Sequence, residues 1–175
     1  CLVGSEMCIR DRSIPIHIEC FDNSNIQGSL PTSSCVVFKN GLPSKKDYRI
    51  FKIKSITKAD DFASMKEVVF RRYKRVLDEK GDLPDLIVID GGKGQLSSAK
   101  ESLKRLGLSG KIAIIGIAKK LESIYFPNDK IPLFIDKKSP SLKLIQTIRN
   151  EAHRFAINYH KKRRLKSTLS SALTD

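Results

Sequence analysis

Alternating apolar and polar residues open the part of the chain that the sequence predicts to be folded. From Ile14 to Phe21 the alternation has the period of a half-buried β-strand, which ends at Asp22. The apolar face comprises Ile14, Ile16, Ile18 and Cys20. Residues 34–38 and 48–53 predict two further strands, and Asn40-Gly41 between them can adopt the positive φ of a tight reversal. Three antiparallel strands are therefore expected first.

Apolar residues three and four positions apart then predict an amphipathic helix, with an N-cap at Asp60 or Asp61 and an end near Gly81. Its inner stripe comprises Phe62, Met65, Val69, Tyr73 and Val76. Its outward face carries the basic residues Arg71, Arg72, Lys74 and Arg75. Residues 86–89 are all apolar, which is typical of a central strand buried on both faces.

The second half of the chain continues to alternate between strands and helices. Residues 91–94 lead into a helix that Gly107 closes, and residues 112–118 predict another buried strand. The inner stripe of this helix comprises Leu96, Ala99, Leu103 and Leu106. Two prolines interrupt residues 124–136, where we predict a short β excursion with loops. A long final helix begins at Ser141 and buries Leu142, Ile145, Ile148, Ala152, Phe155 and Tyr159.

This order of elements predicts an α/β fold, in which a mixed sheet of three antiparallel strands and then parallel strands is flanked by helices. Ribonuclease H-like folds have the same order, although order alone discriminates weakly between folds. We place the domain at residues 13–166 and a linker at residues 167–175. Residues 1–12 resemble translated sequencing adapter, and we expect the natural chain to extend upstream of Ser13.

The charge of the chain adds a class of partner to this picture. The 175 residues include 33 Lys and Arg but only 19 Asp and Glu, which gives a formal net charge of +14. Nucleic acid is the leading partner because the basic residues lie on predicted helices, and a merely solvated surface is the alternative. No apolar run approaches the roughly 18 to 20 residues that cross a bilayer. The 4 cysteines lack the paired spacing of a zinc site, so we expect a cytoplasmic protein with reduced thiols and no membrane partner.

Two aspartates supply the first candidate chemistry. Asp22 and Asp90 each end a predicted central strand, so their carboxylates could meet at one edge of the sheet. Adjacent carboxylates repel each other, and they commonly share a proton or bind a divalent cation. Beside a basic surface, Mg²⁺ or Mn²⁺ would polarise a phosphate and generate hydroxide from water. Alternatively, both residues are ordinary strand-end residues, since Asp is common before Gly in turns.

A histidine in the final helix is a further candidate. A helical projection places His153 on a polar border of the apolar stripe, beside Arg149, Ala156, His160 and Arg164. An imidazole there could ligate a metal, act as a base toward water, or act as an acid toward a leaving oxygen. A lone histidine at such a border is more often a hydrogen-bonded packing residue, and the pattern by itself favours that interpretation.

Several basic residues are candidates for phosphate contacts. Residues 91–94, Gly-Gly-Lys-Gly, could present backbone amides and Lys93 to a phosphate, although a tight turn explains them equally well. They do not match the phosphate loop of nucleotide hydrolases. The other candidates are Arg71, Arg72, Lys119, Lys120, Arg149, Arg154 and residues 161–166. Such contacts would add salt-sensitive affinity without sequence choice, and a solvated helix face is the rival explanation.

Four segments of the chain resemble the UvrC family of bacterial nucleotide excision repair nucleases. They run from Ile18 to Asp22, from Asp60 to Met65, from Leu86 to Gln95 and from Ile148 to Phe155. The segment around Asp90 is the most specific, and the resemblance covers nearly all of residues 14–166. It implies a ribonuclease H-like endonuclease domain that holds a divalent metal and nicks damaged double-stranded DNA on the 5′ side of the lesion.

The resemblance also implies roles for particular residues. Asp22, Asp90 and His153 match the family's catalytic, metal-holding positions, and Asp61 matches a further acidic position where a helix start suggests capping or support. Many relatives have Ile-Ser-His after the first aspartate, whereas this chain has Asn23-Ser24-Asn25, so any role of a histidine there is absent. The family's UvrB-binding segment, its other nuclease domain and its helix-hairpin-helix motifs fall outside this chain. UvrB would therefore bind mainly elsewhere.

Two other functions stay open at this point. A non-catalytic nucleic-acid-binding module could keep the same fold and basic surface without cutting. Another ribonuclease H-like nuclease, such as a junction resolvase or an RNA-hybrid nuclease, would share the fold.

Overall fold

The computed structural model describes residues 15–24, 31–54, 60–118 and 123–172, and within these ranges one mixed sheet is flanked by helices. The strands are β1 (His17–Ser24), β2 (Thr32–Lys39), β3 (Leu42–Pro43), β4 (Arg49–Lys52), β5 (Leu86–Asp90), β6 (Ala113–Ile117), β7 (Ser123–Tyr125) and β8 (Leu133–Phe134). The helices are α1 (Asp61–Asp78), α2 (Lys93–Arg105) and α3 (Pro140–Ala172). The segment 1–12, Asn25, Lys119 and Lys120 lie outside the described residues.

The sheet confirms the predicted α/β class. Its strand order is β3-β2-β1-β5-β6-β7-β8, and β4 also pairs with β2, on the edge that β3 occupies. β1 is antiparallel to β2 and parallel to β5, which is in turn parallel to β6. The predicted β excursion is present as β7 and β8, which extend the far edge antiparallel to β6. β1 and β5 are therefore neighbours at the centre of the sheet.

The predicted turn between the second and third strands is confirmed, but the third strand is split. Asn40 and Gly41 have φ values of 53° and 76°, as a tight hairpin reversal requires. Pro43 ends β3 because it has no N–H to donate to the ladder. A 3₁₀ turn at Lys45–Asp47 follows, and the chain then returns to β2 as β4.

Helices cover both faces of the sheet, and this corrects the prediction for β1. α1 and α2 pack together on one face, while α3 packs across β1, β2 and β5 on the other. Successive residues of a strand point to opposite faces, so β1 presents Glu19 to α1 and Asp22 to α3. The prediction of a half-buried β1 is wrong, because residues 18–22 are all buried. A strand with neighbours on both edges and layers on both faces has no side open to solvent.

The N-terminus of α1 is capped as predicted. Oδ1 of Asp60 accepts hydrogen bonds from the backbone N–H groups of Phe62 and Ala63 at 2.9 and 3.1 Å. These bonds satisfy two of the amides that every helix start leaves without an intrahelical partner. The cap is therefore Asp60, and Asp61 is the first helical residue.

Two residues of α1 lie on a different face from the one predicted. Phe62 was placed on the inner stripe but is 56% exposed, and its ring lies against Gly94 of α2. Arg72 was placed on the outward face, yet its side chain is only 15% exposed. It follows the buried Val68 by four residues, one helical turn, and so lies on the same inward stripe.

The central strand β5 and helix α2 are as predicted. Residues 87–90 of β5 are buried, and α2 packs its inner stripe, Leu96, Ala99 and Leu103, against the core. Gly107 ends the helix with a φ of 69°. The N–H of Leu108 donates to the carbonyl of Leu103 at 2.9 Å, which completes a Schellman motif.

The final helix is longer than predicted, and its buried stripe is displaced. The backbone stays helical to Ala172, past the predicted linker start at residue 167. Its fully buried residues are Leu142, Ile148, Ala152, Ala156 and His160. Phe155 and Tyr159 are only half-buried, because a spacing of four from Ile148 to His160 makes the row that faces the sheet. No helix in the described ranges is long and apolar enough to cross a membrane.

Candidate active site

The two candidate aspartates lie side by side where the central strands β1 and β5 end. β1 and β5 run parallel, and their register pairs the Cα of Asp22 directly with that of Asp90. Both side chains therefore project from the same face, the one that α3 covers. Asp22 is 1% and Asp90 4% exposed. The strand order thus produces the juxtaposition that the sequence only suggested.

The imidazole of His153 reaches this aspartate pair from α3. Its Nδ1 lies 3.3 Å from Oδ2 of Asp22, and the two residues are 131 positions apart in the chain. The His153 side chain is 62% exposed. The packing interpretation of His153 is therefore wrong, because the ring lies at the surface with one nitrogen directed toward a buried carboxylate.

The charge of Arg149 acts on a buried thiol near the two aspartates. Burial is the main reason that the pKa of Cys20 lies well above its usual range, and the negative charges of Asp90 and Asp22 raise it further. The guanidinium of Arg149 acts in the opposite direction on the same thiol. Arg149 precedes His153 by one turn of α3, so the two residues lie on the same side of this helix.

Asp61 is the first residue of α1, and its backbone contacts the end of β1. The backbone carbonyl of Asp61 accepts a hydrogen bond from Nδ2 of Asn23 at 3.0 Å, and Asn23 directly follows Asp22. Capping by Asp61 is wrong, since Asp60 provides the cap. The predicted supporting role of Asp61 is consistent with this contact, because the hydrogen bond joins the start of α1 to the residue next to Asp22.

The glycines after Asp90 pack closely with their surroundings. A Cβ atom at Gly91 would collide with the side chain of Gln95, and one at Gly94 would collide with the ring of Phe62. A Cβ atom at Gly116 of β6 would lie 3.0 Å from the Gly91 carbonyl oxygen. Close packing against the side chains of Gln95 and Phe62 accounts for glycine at positions 91 and 94, and a phosphate-receiving role of this turn stays a prediction.

The basic residues predicted to contact phosphate have varied surroundings. Arg71 donates to Glu67 at 2.8 Å, and Arg154 donates to Glu151 at 2.6 and 2.7 Å. Arg72 is bound to the buried Glu19, which withdraws it from the surface. Nζ of Lys93 donates to the carbonyl of Lys130 and lies 5.5 Å from the centroid of the Tyr125 ring. Contact with DNA stays a prediction for all of them.

A buried ionic network that the sequence pattern did not reveal lies on the opposite face of β1 from Asp22. Glu19 is 0% exposed, and its carboxylate accepts from Nη2 of Arg72 at 2.7 Å and from the Tyr73 hydroxyl at 2.8 Å. Burial is the largest influence and opposes ionisation of Glu19. The nearby His17 imidazole and the Arg72 guanidinium together outweigh it and lower the pKa of Glu19 to about 2. An acidic residue inside an apolar strand was the available signal.

His160 is a second residue with an overlooked role. Nε2 of His160 lies 3.0 Å from the Thr32 hydroxyl and 3.1 Å from the Ser24 hydroxyl. Ser24 and Thr32 are partners across β1 and β2, two residues beyond Asp22. His160 therefore holds α3 against the end of β1 and the start of β2. Ala152, Ala156 and His160 follow one another at intervals of four residues, and this spacing was the signal that could have revealed it.

The donor atoms at the aspartate pair suit a hard divalent cation. Carboxylate oxygens are the ligands that Mg²⁺ prefers, and Mg²⁺ usually binds one or two carboxylates together with waters and substrate phosphates. Within the described ranges, no three His, Cys, Asp or Glu side chains are arranged as a metal-holding group. The pair therefore fits a metal shared with water and substrate, and does not fit a cage made by the protein alone.

Comparison with known proteins gives one family and a set of close relatives. Residues 8–157 match the model of the UvrC RNAse H endonuclease domain. Over 159 residues, the chain is 65% identical to UvrABC system protein C of Christiangramia forsetii, with 91% of this chain and 27% of the relative covered. The corresponding protein of Porphyromonas gingivalis strain W83 is 59% identical, with 91% and 26% covered. The chain thus spans about a quarter of the length of these relatives.

Solved structures show a weaker likeness. The crystal structure of endonuclease V from Bacillus subtilis matches with a TM-score of 0.49 and 13% identity, covering 83% of this chain and 82% of that one. Endonuclease V of Ciona intestinalis, solved with a DNA that contains inosine, matches with a TM-score of 0.47 and 21% identity, covering 85% and 61%.

Proposed function

The chain belongs to the family of UvrC RNase H endonuclease domains, and from this premise we propose that it cleaves a phosphodiester bond of damaged double-stranded DNA on the 5′ side of the lesion. The observation that supports this proposal best is the in-register pair of buried carboxylates, Asp22 and Asp90, with His153 directed at one of them. That arrangement places hard oxygen donors beside an imidazole, which can accept or donate a proton.

Asp22 and Asp90 would hold Mg²⁺ or Mn²⁺ between the ends of β1 and β5. When bound, such an ion polarises the phosphate and makes water a stronger nucleophile. The low exposure of both carboxylates limits competition from bulk water for their oxygens. The guanidinium of Arg149, on the α3 side of the pair, would attract the phosphate toward the same point.

His153 would move the proton. Its Nδ1 lies beside the Asp22 carboxylate, so the favoured neutral tautomer carries its hydrogen on Nδ1 and leaves Nε2 as an acceptor. Nε2 can then take a proton from the attacking water, or deliver one to the leaving oxygen after protonation. The exposure of this side chain allows substrate to reach it.

DNA and UvrB are the proposed partners in the bacterial cytoplasm. The net charge of +14 favours binding of a polyanion. The chain matches only about a quarter of its relatives, so UvrB would be bound mainly by the parts of those proteins outside the match.

Calorimetry with Mn²⁺ and the 175-residue chain tests the metal site. We expect Mn²⁺ to bind and to raise the melting temperature, since a ligand that binds only the folded state stabilises it. Asp22→Asn and Asp90→Asn should each abolish both effects. Asp82→Asn, an exposed aspartate between α1 and β5, is the matched control and should leave both unchanged.

The same measurement separates the competing functions. Equal Mn²⁺ binding by Asp90→Asn and the parent chain would place the ion elsewhere and overturn the assignment. Absence of Mn²⁺ binding from a folded parent chain that still binds duplex DNA would favour the non-catalytic module.

A further inference from the structure

We propose that a groove between α2 and the turn at residues 126–130 seats the backbone of the nucleic acid strand that leaves the Asp22–Asp90 site. This groove, the α2 groove, has a volume of about 400 Å³. Its lining includes Lys93, Lys100, Lys104, Lys130, Phe126 and Pro127. The proposal rests on the proposed function, because it extends the path of the substrate beyond the aspartate pair.

The lysines of the α2 groove form a row. Lys93, Lys100 and Lys104 are seven and four residues apart, which places them along one face of α2. Lys130 stands on the opposite wall. Glu101 and Asp129 also line the groove, but the four lysines outnumber them, and Glu101 is paired with Lys66 of α1 at 2.6 Å. The groove therefore keeps an excess of positive charge.

Neutral acceptors position two of these ammonium groups without cancelling their charge. Nζ of Lys100 donates to Oδ1 of Asn128 at 2.6 Å, and Nζ of Lys93 donates to the Lys130 carbonyl. Each ammonium has three donors, so a phosphate oxygen can be bound in addition to these acceptors. The same two bonds connect the walls of the groove, which gives it a defined shape.

The row of lysines starts next to the end of β5, the strand that Asp90 ends. Lys93 follows Asp90 by three residues, and Lys104 lies eleven residues further along α2. At about 1.5 Å per residue the row is about 16 Å long. A nucleic acid strand advances about 3.4 Å per nucleotide, so the row can accompany about five phosphates on one side of the cut.

A strand backbone fits the α2 groove better than a small anion does. The positive charge is spread along the helix and is not focused on one point, and Lys93, Lys104 and Lys130 are exposed. A compact ligand would instead be enclosed by a small number of convergent buried groups. Contacts of this type add affinity that depends on salt and not on base sequence.

The salt dependence of binding to a duplex oligonucleotide tests the α2 groove. Lys100→Gln/Lys104→Gln in the 175-residue chain removes two charges, so the slope of log K against log salt should fall by about 1.8. Lys104→Gln alone should lower it by about 0.9, which keeps the test valid if the double variant does not fold. The control Lys45→Gln/Lys46→Gln removes two exposed charges from the turn between β3 and β4, and it should leave the slope unchanged.

The outcomes also separate this proposal from the metal site. Folded groove variants with the parent's slope and affinity would overturn the α2 groove, whatever Mn²⁺ does. An equal loss in the Lys45/Lys46 control would overturn it too, because the effect would then be one of net charge. A normal Mn²⁺ response in variants with a reduced slope supports it. A reduced slope in a chain that binds no Mn²⁺ would retain the groove and reject the nuclease.

Discussion

Strand β1 carries two buried carboxylates, three residues apart, whose surroundings differ. Glu19 projects toward α1, where Arg72 and Tyr73 donate to it within the protein interior. Asp22 projects toward α3, beside Asp90 and the exposed imidazole of His153. Both carboxylates are at most 1% exposed. Burial alone therefore does not distinguish a structural carboxylate from one placed for chemistry; the groups around it do.

The Glu19 network is a buried ionic contact between the sheet and α1, in which the carboxylate is bound by groups of the protein itself. Arg72 grips both carboxylate oxygens, with Nη2 at 2.7 Å and Nε at 3.2 Å. A buried pair of this kind contributes modestly when intact, but loss of one partner leaves a charge in a medium that solvates it poorly. At the Asp22 site, by contrast, a like charge is the neighbour in register, and such an arrangement favours uptake of a cation.

The largest expected difference between the two sites is in cleavage. The test uses a chimera in which this chain replaces the matching segment of the Christiangramia forsetii protein. The measurement is the rate at which the chimera nicks a lesion-bearing duplex loaded with UvrB. Asp22→Asn should reduce the nicking rate by about 10³-fold or more, because it removes a ligand of the ion. At temperatures below the melting temperature of the variant, Glu19→Gln should nick at a rate within a few-fold of the parent rate. Equal losses of nicking rate in the two variants would contradict the assignment of a catalytic role to Asp22 and a structural role to Glu19.

Stability should show the opposite order. Arg72→Ala leaves Glu19 buried without its cation, so urea denaturation should show a loss of about 3–5 kcal/mol in the free energy of unfolding. Glu19→Leu/Arg72→Leu should recover most of that loss, since no charge stays buried. Arg75→Ala, which removes an exposed partner of Glu79, is the control and should cost less than about 1 kcal/mol. A small effect of Arg72→Ala would show that Glu19 does not depend on Arg72 to compensate its buried charge.

Acid should weaken the Glu19 side of the sheet in a defined pH window. The pKa of Glu19 is lowered from 4.5 to about 2 in the fold. Its contribution to stability is therefore complete above pH 4.5 and is lost as the pH falls from there toward 2, and it amounts to about 3 kcal/mol. Urea denaturation across this window should show a steeper decline for the parent chain than for Glu19→Gln. Parallel curves would contradict the lowered pKa.

The smallest expected effect concerns His160, which holds α3 over the Asp22 side. His160→Gln should cost about 1–2 kcal/mol, because it weakens contacts to Thr32 and Ser24. Burial first, and then the charges of Arg163 and Arg164, lower the pKa of His160 below its usual 6.5. The neutral ring therefore stabilises the fold above pH 6.5, and this contribution is lost as the pH falls below that value.

Thermal melts of the parent chain and His160→Gln at several pH values check this prediction. The difference between the two melting temperatures should narrow from pH 7 to pH 5. The other two histidines are present in both chains, so the difference reports on His160. A constant difference across this range would show that protonation of His160 is not linked to folding.

The sequence predicted most elements correctly because their signals are local. The apolar run of β5, the cap at Asp60, the Asn40-Gly41 turn and the glycine after α2 each depend on a few neighbouring residues. The site was predicted unevenly. Asp22 and Asp90 were identified as strand-end carboxylates, whereas periodicity favoured packing for His153, and the family resemblance supplied its link to them.

The sequence by itself determined which segments become strands and helices, and which acidic residues end the central strands. Only the tertiary structure decided what those residues meet. Parallel pairing of β1 with β5 sets Asp22 beside Asp90, since register depends on contacts between distant segments. The packing of α1 and α3 turned Arg72 and His160 inward and left His153 exposed. A polar residue at the border of an apolar stripe can face the protein interior or the solvent. The surface against which the helix packs determines which of the two it does.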